Sequence, residues 1–173
     1  MDIATSKVYM DMAIDKIKNI SLREFVRKVV KALPDKAWER EASLKYHHED
    51  EHGCGGNMLH ERRVAVIGDK LAELCNLSSL DKDLVRAACL LHDATRHGEN
   101  AMSKYTINTH SKLVRPFIEK TIGESDWTDP VCKLLENHMS NWDVPPYKPE
   151  IGMIEMVIIA DFLASQPNIK VQE

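Results

Sequence analysis

Apolar residues recur at intervals of three and four along most of the chain, the spacing of helices that bury one face. The period marks helices at 6–18 and 22–33, and five more at roughly 59–76, 82–93, 108–122, 129–140 and 150–165. Ser21-Leu22-Arg23-Glu24 has the spacing of a capping box for the second helix, and Pro34 stops it. Thr128-Asp129-Pro130 predicts another helix start, with Asp129 as cap and Pro130 in the first turn. Residues 34–58 break the pattern with a polar stretch, read mostly as loop, and Pro145, Pro146 and Pro149 mark a loop before the last helix. The pattern predicts an all-α fold: a helical bundle at 59–173, with a helical extension and loop at 1–58 packed on the same domain.

Several apolar stripes contain polar residues. His60 shares a face with Val64, Ile67 and Leu71, and His110 with Leu113, Val114 and Phe117. His138 follows Val131, Leu134 and Leu135; Asp161 follows Ile154, Val157 and Ile158. His92-Asp93 ends the helix whose core positions are Leu84, Ala88 and Leu91. One histidine on an apolar face is usually a hydrogen-bonded core residue. A lone buried aspartate must be satisfied or take up a proton. Four histidines and two aspartates facing inward on five helices need many partners, or one shared partner. A divalent cation is the economical one, because imidazole and carboxylate are its normal ligands.

Composition narrows the setting. Seven Gly and seven Pro in 173 residues are too few for a turn-rich sheet fold or for disorder. A net charge of −4 gives no general attraction to nucleic acid or to an anionic membrane. The N-terminus lacks the pattern of a signal peptide, and the most apolar run, 153–163, contains Glu155 and Asp161 and is too short to span a bilayer. Cys54, Cys75, Cys89 and Cys132 form no CxxC pair; the last three lie in apolar helical stretches and read as reduced core thiols. A cytoplasmic protein without a membrane partner is expected, with homo-oligomerisation left open.

The run His47-His48-Glu49-Asp50-Glu51-His52 lacks a framing pattern and reads as a solvated loop. It can still edge a pocket, since 53–56 lead straight into the His60 helix. The glycines there are no phosphate-binding loop, because no strand precedes them and no Gly-Lys-Ser/Thr follows. Arg62 and Arg63 read as solvent-facing or paired with acids. Trp142 and Tyr147 could stack on a base or simply pack.

The order His60, Leu91-His92-Asp93, His110, His138, Asp161 resembles the HD superfamily of metal-dependent phosphohydrolases. Leu59-His60-Glu61-Arg62-Arg63-Val64-Ala65, Ala87-Ala88-Cys89-Leu90-Leu91-His92-Asp93 and Ile158-Ile159-Ala160-Asp161-Phe162-Leu163-Ala164 look like its first-His, His-Asp and last-Asp helices. The resemblance spans 59–165 and implies a compact HD-domain bundle. It implies one metal on His60, His92, Asp93 and Asp161, and a second on His110 and His138 with Asp93 as bridge. Arg96 stands where family members often carry a phosphate-contacting Lys, so Asp93 and Arg96 are the expected catalytic pair and Arg96 the substrate contact. A metal-activated hydroxide would cleave a phosphomonoester, phosphodiester or phosphoanhydride of a nucleotide or other small phosphorylated molecule. The histidine-rich shell favours Fe, Mn, Co, Ni or Zn over Mg. The same ligands also suit an HD-type di-iron oxygenase, or a catalytically silent HD-fold ligand-binding protein.

Overall fold

The computed structural model describes residues 2–43, 45–139 and 152–171. Among these residues the chain forms α-helices and no strand, as the apolar period predicts. The helices are α1 (Ile3–Asp15), α2 (Ile20–Ala32), α3 (Asp35–Trp38), α4 (Gly56–Leu74), α5 (Ser79–Leu91), α6 (Val114–Ile122), α7 (Thr128–Leu135) and α8 (Met153–Ala164). Single 3-10 turns occupy Glu49–Glu51 and His110–Lys112. Trp142 and Tyr147 lie outside the described residues.

Helix starts differ from the expected ones where a distant side chain intervenes. Asn19, not Ser21, caps α2: its Oδ1 accepts from Leu22 N at 3.1 Å. The cause lies in α5, where buried Asp83 accepts the backbone N–H groups of Lys18 (3.0 Å) and Asn19 (2.7 Å) and so holds the chain out of helical geometry there. Ser21 instead donates to Asn19 Oδ1 and accepts from Trp127 Nε1 at 3.1 Å. Asp129 is likewise not a cap. It sits in the first turn of α7 and pairs with Lys133 at 2.7 Å. The stretch 34–58 is not all loop, since it contains α3, a 3-10 turn and the start of α4.

α4 and α5 form the central pair. α8 packs on both, α7 on α5 and α6, α1 on α4, and α2 on α5 and α6. Gly68 allows the central pair its close approach, because a Cβ there would stand 2.7 Å from Cys89 Sγ. One apolar cluster runs from Met10 through Val64, Val85, Leu91 and Leu135 to Ala164. Burying each such Val, Leu or Met side chain contributes roughly 1.5–3 kcal/mol. None of the four cysteines forms a disulfide among the described residues. Cys89 and Cys132 are buried as expected, but Cys75 is exposed, because α4 ends at Leu74 before the apolar spacing does. Among the described residues no helix is long and apolar enough to cross a membrane.

Candidate metal centre

The central helices bring the inward-facing polar residues to one place. His60 projects from the second turn of α4 and is fully buried. Its Nε2 lies 2.9 Å from Oδ1 of Asp161 on α8. His92 is the C-terminal cap of α5, and Asp93 follows it. His92 Nε2 lies 3.6 Å from Asp161 Oδ1 and 3.8 Å from Asp93 Oδ2, and no hydrogen bond satisfies it among the described residues. These gaps are long for hydrogen bonds and within reach of ligands that share a cation, since two ligands each about 2.0–2.2 Å from a metal, at angles of about 90–120°, stand roughly 2.8–3.8 Å apart. One ligand atom each from His60, His92 and Asp93 lies within 4.8 Å of the others.

A second group adjoins the first through Asp93. His110 Nε2 lies 3.0 Å from Asp93 Oδ1 and 3.2 Å from His138 Nε2. Neither histidine sits where the apolar period put it. His110 opens the 3-10 turn ahead of α6, and His138 lies three residues beyond the end of α7. Both positions leave backbone carbonyls outside the helical ladder, and the histidines use them. His92 Nδ1 donates to Cys89 O (2.9 Å), His110 Nδ1 to Ile107 O (2.8 Å) and His138 Nδ1 to Leu135 O (2.6 Å). A carbonyl only accepts, so each Nδ1 carries the proton. In the neutral ring each Nε2 is therefore a lone pair aimed at the cluster. Thr95 steadies this half by donating to His110 O at 2.9 Å.

Lone pairs and carboxylates facing one another across about 3 Å repel unless a cation stands between them. A proton can do this for one pair of groups, a divalent metal for all of them. Burial would raise Asp93 and Asp161, but Arg96, His92 and His110 around Asp93, and His92 and His60 around Asp161, outweigh it and hold both carboxyls well below the usual range. Burial pushes His92 down, yet Asp93 and Asp161 lift it to about 10. Burial lowers His138 to about 4, helped by His92. At neutral pH both aspartates are thus ionised and His138 is neutral, while His92 carries a proton that an arriving cation must displace. Zn2+ loading at neutral pH is therefore expected to release protons, and affinity to rise about tenfold per pH unit for each proton displaced, levelling near the His92 value. Calorimetry in two buffers of different ionisation enthalpy measures the release; identical heats would remove His92 from the ligand set.

Arg96 is no solvated loop residue. It is buried, with Nη1 bonded to Asp93 Oδ2 (3.0 Å) and Asn57 Oδ1 (3.2 Å) and Nε to Thr106 Oγ1 (2.9 Å). The polar run at 47–52 also departs from expectation. Glu51 is fully buried and the His47 side chain nearly so, with His47 Nδ1 2.9 Å from Glu51 Oε2. His48 donates to Ile169 O at 2.8 Å, and Arg63 pairs with Asp50 and Glu51. Asn57, Glu51 and Glu61 carry no periodic signal and were invisible to the apolar pattern. Burial pushes Glu61 up to about 8.

The profile of the HD domain family matches residues 58–163, while no curated protein and no solved structure matches the chain. HD domains bind divalent metals, and the matched segment contains His60, His92, Asp93, His110, His138 and Asp161. With well over half its length matched, the chain belongs to the HD domain family, a superfamily of metal-dependent hydrolases.

Proposed function

We propose that this protein is a phosphohydrolase acting on a nucleotide or another small phosphorylated molecule, in the cytoplasm, with residues 59–173 carrying the chemistry and 1–58 packed on them. Four cysteines outside any disulfide fit a reducing compartment. The observation that carries the reading is the gathering of the His92, His110 and His138 Nε2 atoms around Asp93 and Asp161, with Arg96 bonded to the same Asp93. His60, His92, Asp93 and Asp161 would hold one cation, and Asp93, His110 and His138 a second. A bound divalent cation supplies Lewis acidity toward phosphoryl oxygen and makes a coordinated water more acidic.

The chain's own groups do the rest. Asp93 places one oxygen in each half of the cluster and so sets their spacing. The backbone carbonyls of Cys89, Ile107 and Leu135 keep the imidazoles from turning. Arg96 has a planar, permanently charged fork beside Asp93, suited to holding a non-bridging phosphate oxygen as negative charge grows on it. Asn57 and Thr106 fix its orientation.

The test is a screen of purified protein with Mn2+, Co2+, Ni2+, Zn2+ or anaerobic Fe2+ against nucleoside phosphates, dinucleoside polyphosphates and cyclic dinucleotides. Phosphate release or ester cleavage with at least one metal is expected. Oxygen consumption in place of hydrolysis would sink the phosphohydrolase reading. Arg96→Ala is expected to lower kcat/KM by about 10–100-fold, the worth of one or two charge-assisted hydrogen bonds. Arg96→Lys should restore part of it, with metal content the same in both. Kinetics unchanged in Arg96→Ala on every good substrate would leave the residue a structural partner of Asp93.

A further inference from the structure

His60 differs from the other three histidines of the centre. It lies inside α4, where the carbonyls one turn back are committed to the helix. No carbonyl can orient its ring as Cys89, Ile107 and Leu135 orient the others. Its Nδ1 instead faces Glu51 Oε2 at 3.4 Å, with no closer hydrogen-bond partner among the described residues.

Glu51 is built into this position. Its side chain is fully buried, with Arg63 Nη1 donating to Oε1 at 2.6 Å and His47 Nδ1 2.9 Å from Oε2. Arg63 is in turn fixed by two bonds to Asp50, at 2.9 and 2.6 Å. The backbone is pinned as well, because Ala42 N donates to Glu51 O at 3.0 Å. A Cβ on Gly56 would fall 1.7 Å from that same oxygen. Gly56 and His60 are four residues apart and share a helix face. The missing side chain at 56 therefore lets the Glu51 segment lie against the face from which His60 projects.

We propose that Glu51 is a positioning residue: it accepts the Nδ1 proton of His60 and so aims the Nε2 lone pair at the cation site, while His47 and Arg63 hold the carboxylate in place. The inference rests on the reading of His60 as a metal ligand. A carboxylate behind a ligating imidazole fixes its tautomer and raises its basicity. Glu51 is not itself a ligand in this arrangement. Both its oxygens are engaged, and a cation bound to it would stand beside the Arg63 guanidinium.

The test uses the full chain and Cd2+. In NMR of the wild-type protein with isotope-labelled histidine, Cd2+ is expected to couple to His60 Nε2 while Nδ1 keeps its proton. Coupling to Nδ1 would overturn the proposal, and this measurement needs no variant to fold. In titrations, Glu51→Ala is expected to weaken Cd2+ binding at the His60 position by about 10–100-fold at unchanged saturating stoichiometry. Glu51→Gln keeps an oxygen that can accept from Nδ1 and should retain most of the affinity. Wild-type affinity in Glu51→Ala, with coupling still at Nε2, would defeat this inference alone. One equivalent lost in both variants would make Glu51 a ligand and equally defeat it. No Cd2+ at His60 in the wild type would bring down the metal reading itself, and this inference with it.

Discussion

Asp93→Ala is expected to reduce turnover by about two to four orders of magnitude and to strip most bound metal. One carboxylate reaches both halves of the centre: Oδ1 lies 3.0 Å from His110 Nε2, and Oδ2 lies 3.0 Å from Arg96 Nη1 and 3.8 Å from His92 Nε2. Removing one partner from a buried ionic network costs about 3–5 kcal/mol, which as a barrier is roughly 10^2–10^4-fold in rate. The helices should persist, because the apolar cluster does not depend on Asp93, but Tm should fall by about 5–15 °C as Arg96 loses its partner. Asp93→Asn keeps the shape and not the charge, so it should recover stability more than activity. Metal analysis, phosphate release and thermal melts check the three parts. Near-normal turnover and metal content in Asp93→Ala would end the assignment.

The second large effect concerns stoichiometry. The wild type is expected to bind two divalent cations per chain, about 3.5–4 Å apart as in other two-metal sites. His110→Ala and His138→Ala should each reduce the count toward one. With both rings neutral, each points an Nε2 lone pair at the other across 3.2 Å, and Asp93 Oδ1 lies 3.0 Å from His110 Nε2. A purely structural pair of histidines would instead put a donor opposite an acceptor. Here both Nδ1 donors are already spent on Ile107 and Leu135 carbonyls. Equivalents measured after anaerobic loading and removal of free metal decide the matter. Saturation at one equivalent in the wild type, unchanged in both variants, would leave a mononuclear site with His60, His92, Asp93 and Asp161.

The residues readable from the apolar period were those whose helices run through them. His60 and Asp161 interrupt stripes in α4 and α8, and a polar group at a buried position stands out by its cost. His92-Asp93 was legible as a helix end. His110 and His138 stand out for an incomplete reason: the three-residue spacing of apolar neighbours carries on through a 3-10 turn and a helix exit, so the stripe is longer than the α-helix. Glu51 was illegible because it is one acid among exposed neighbours, and its burial is decided by Arg63, His47 and the bare backbone at Gly56. The start of α2 departs from the local spacing for a related reason. Ser21 has the right local spacing, but Asp83, more than sixty residues away, claims the N–H groups that place the helix start.

Each histidine held by the carbonyl three residues behind it is a self-contained unit. It needs a chain exit or a single turn, one histidine, and nothing from the rest of the molecule. A lineage or a designer can therefore enlarge such a centre by one substitution at a helix terminus, with the ring aimed from the outset. A histidine placed in mid-helix has no such local support and must recruit a partner from another part of the chain. New coordinating positions in bundles of this kind are thus cheapest to acquire at the frayed ends of helices and dearest in their straight middles.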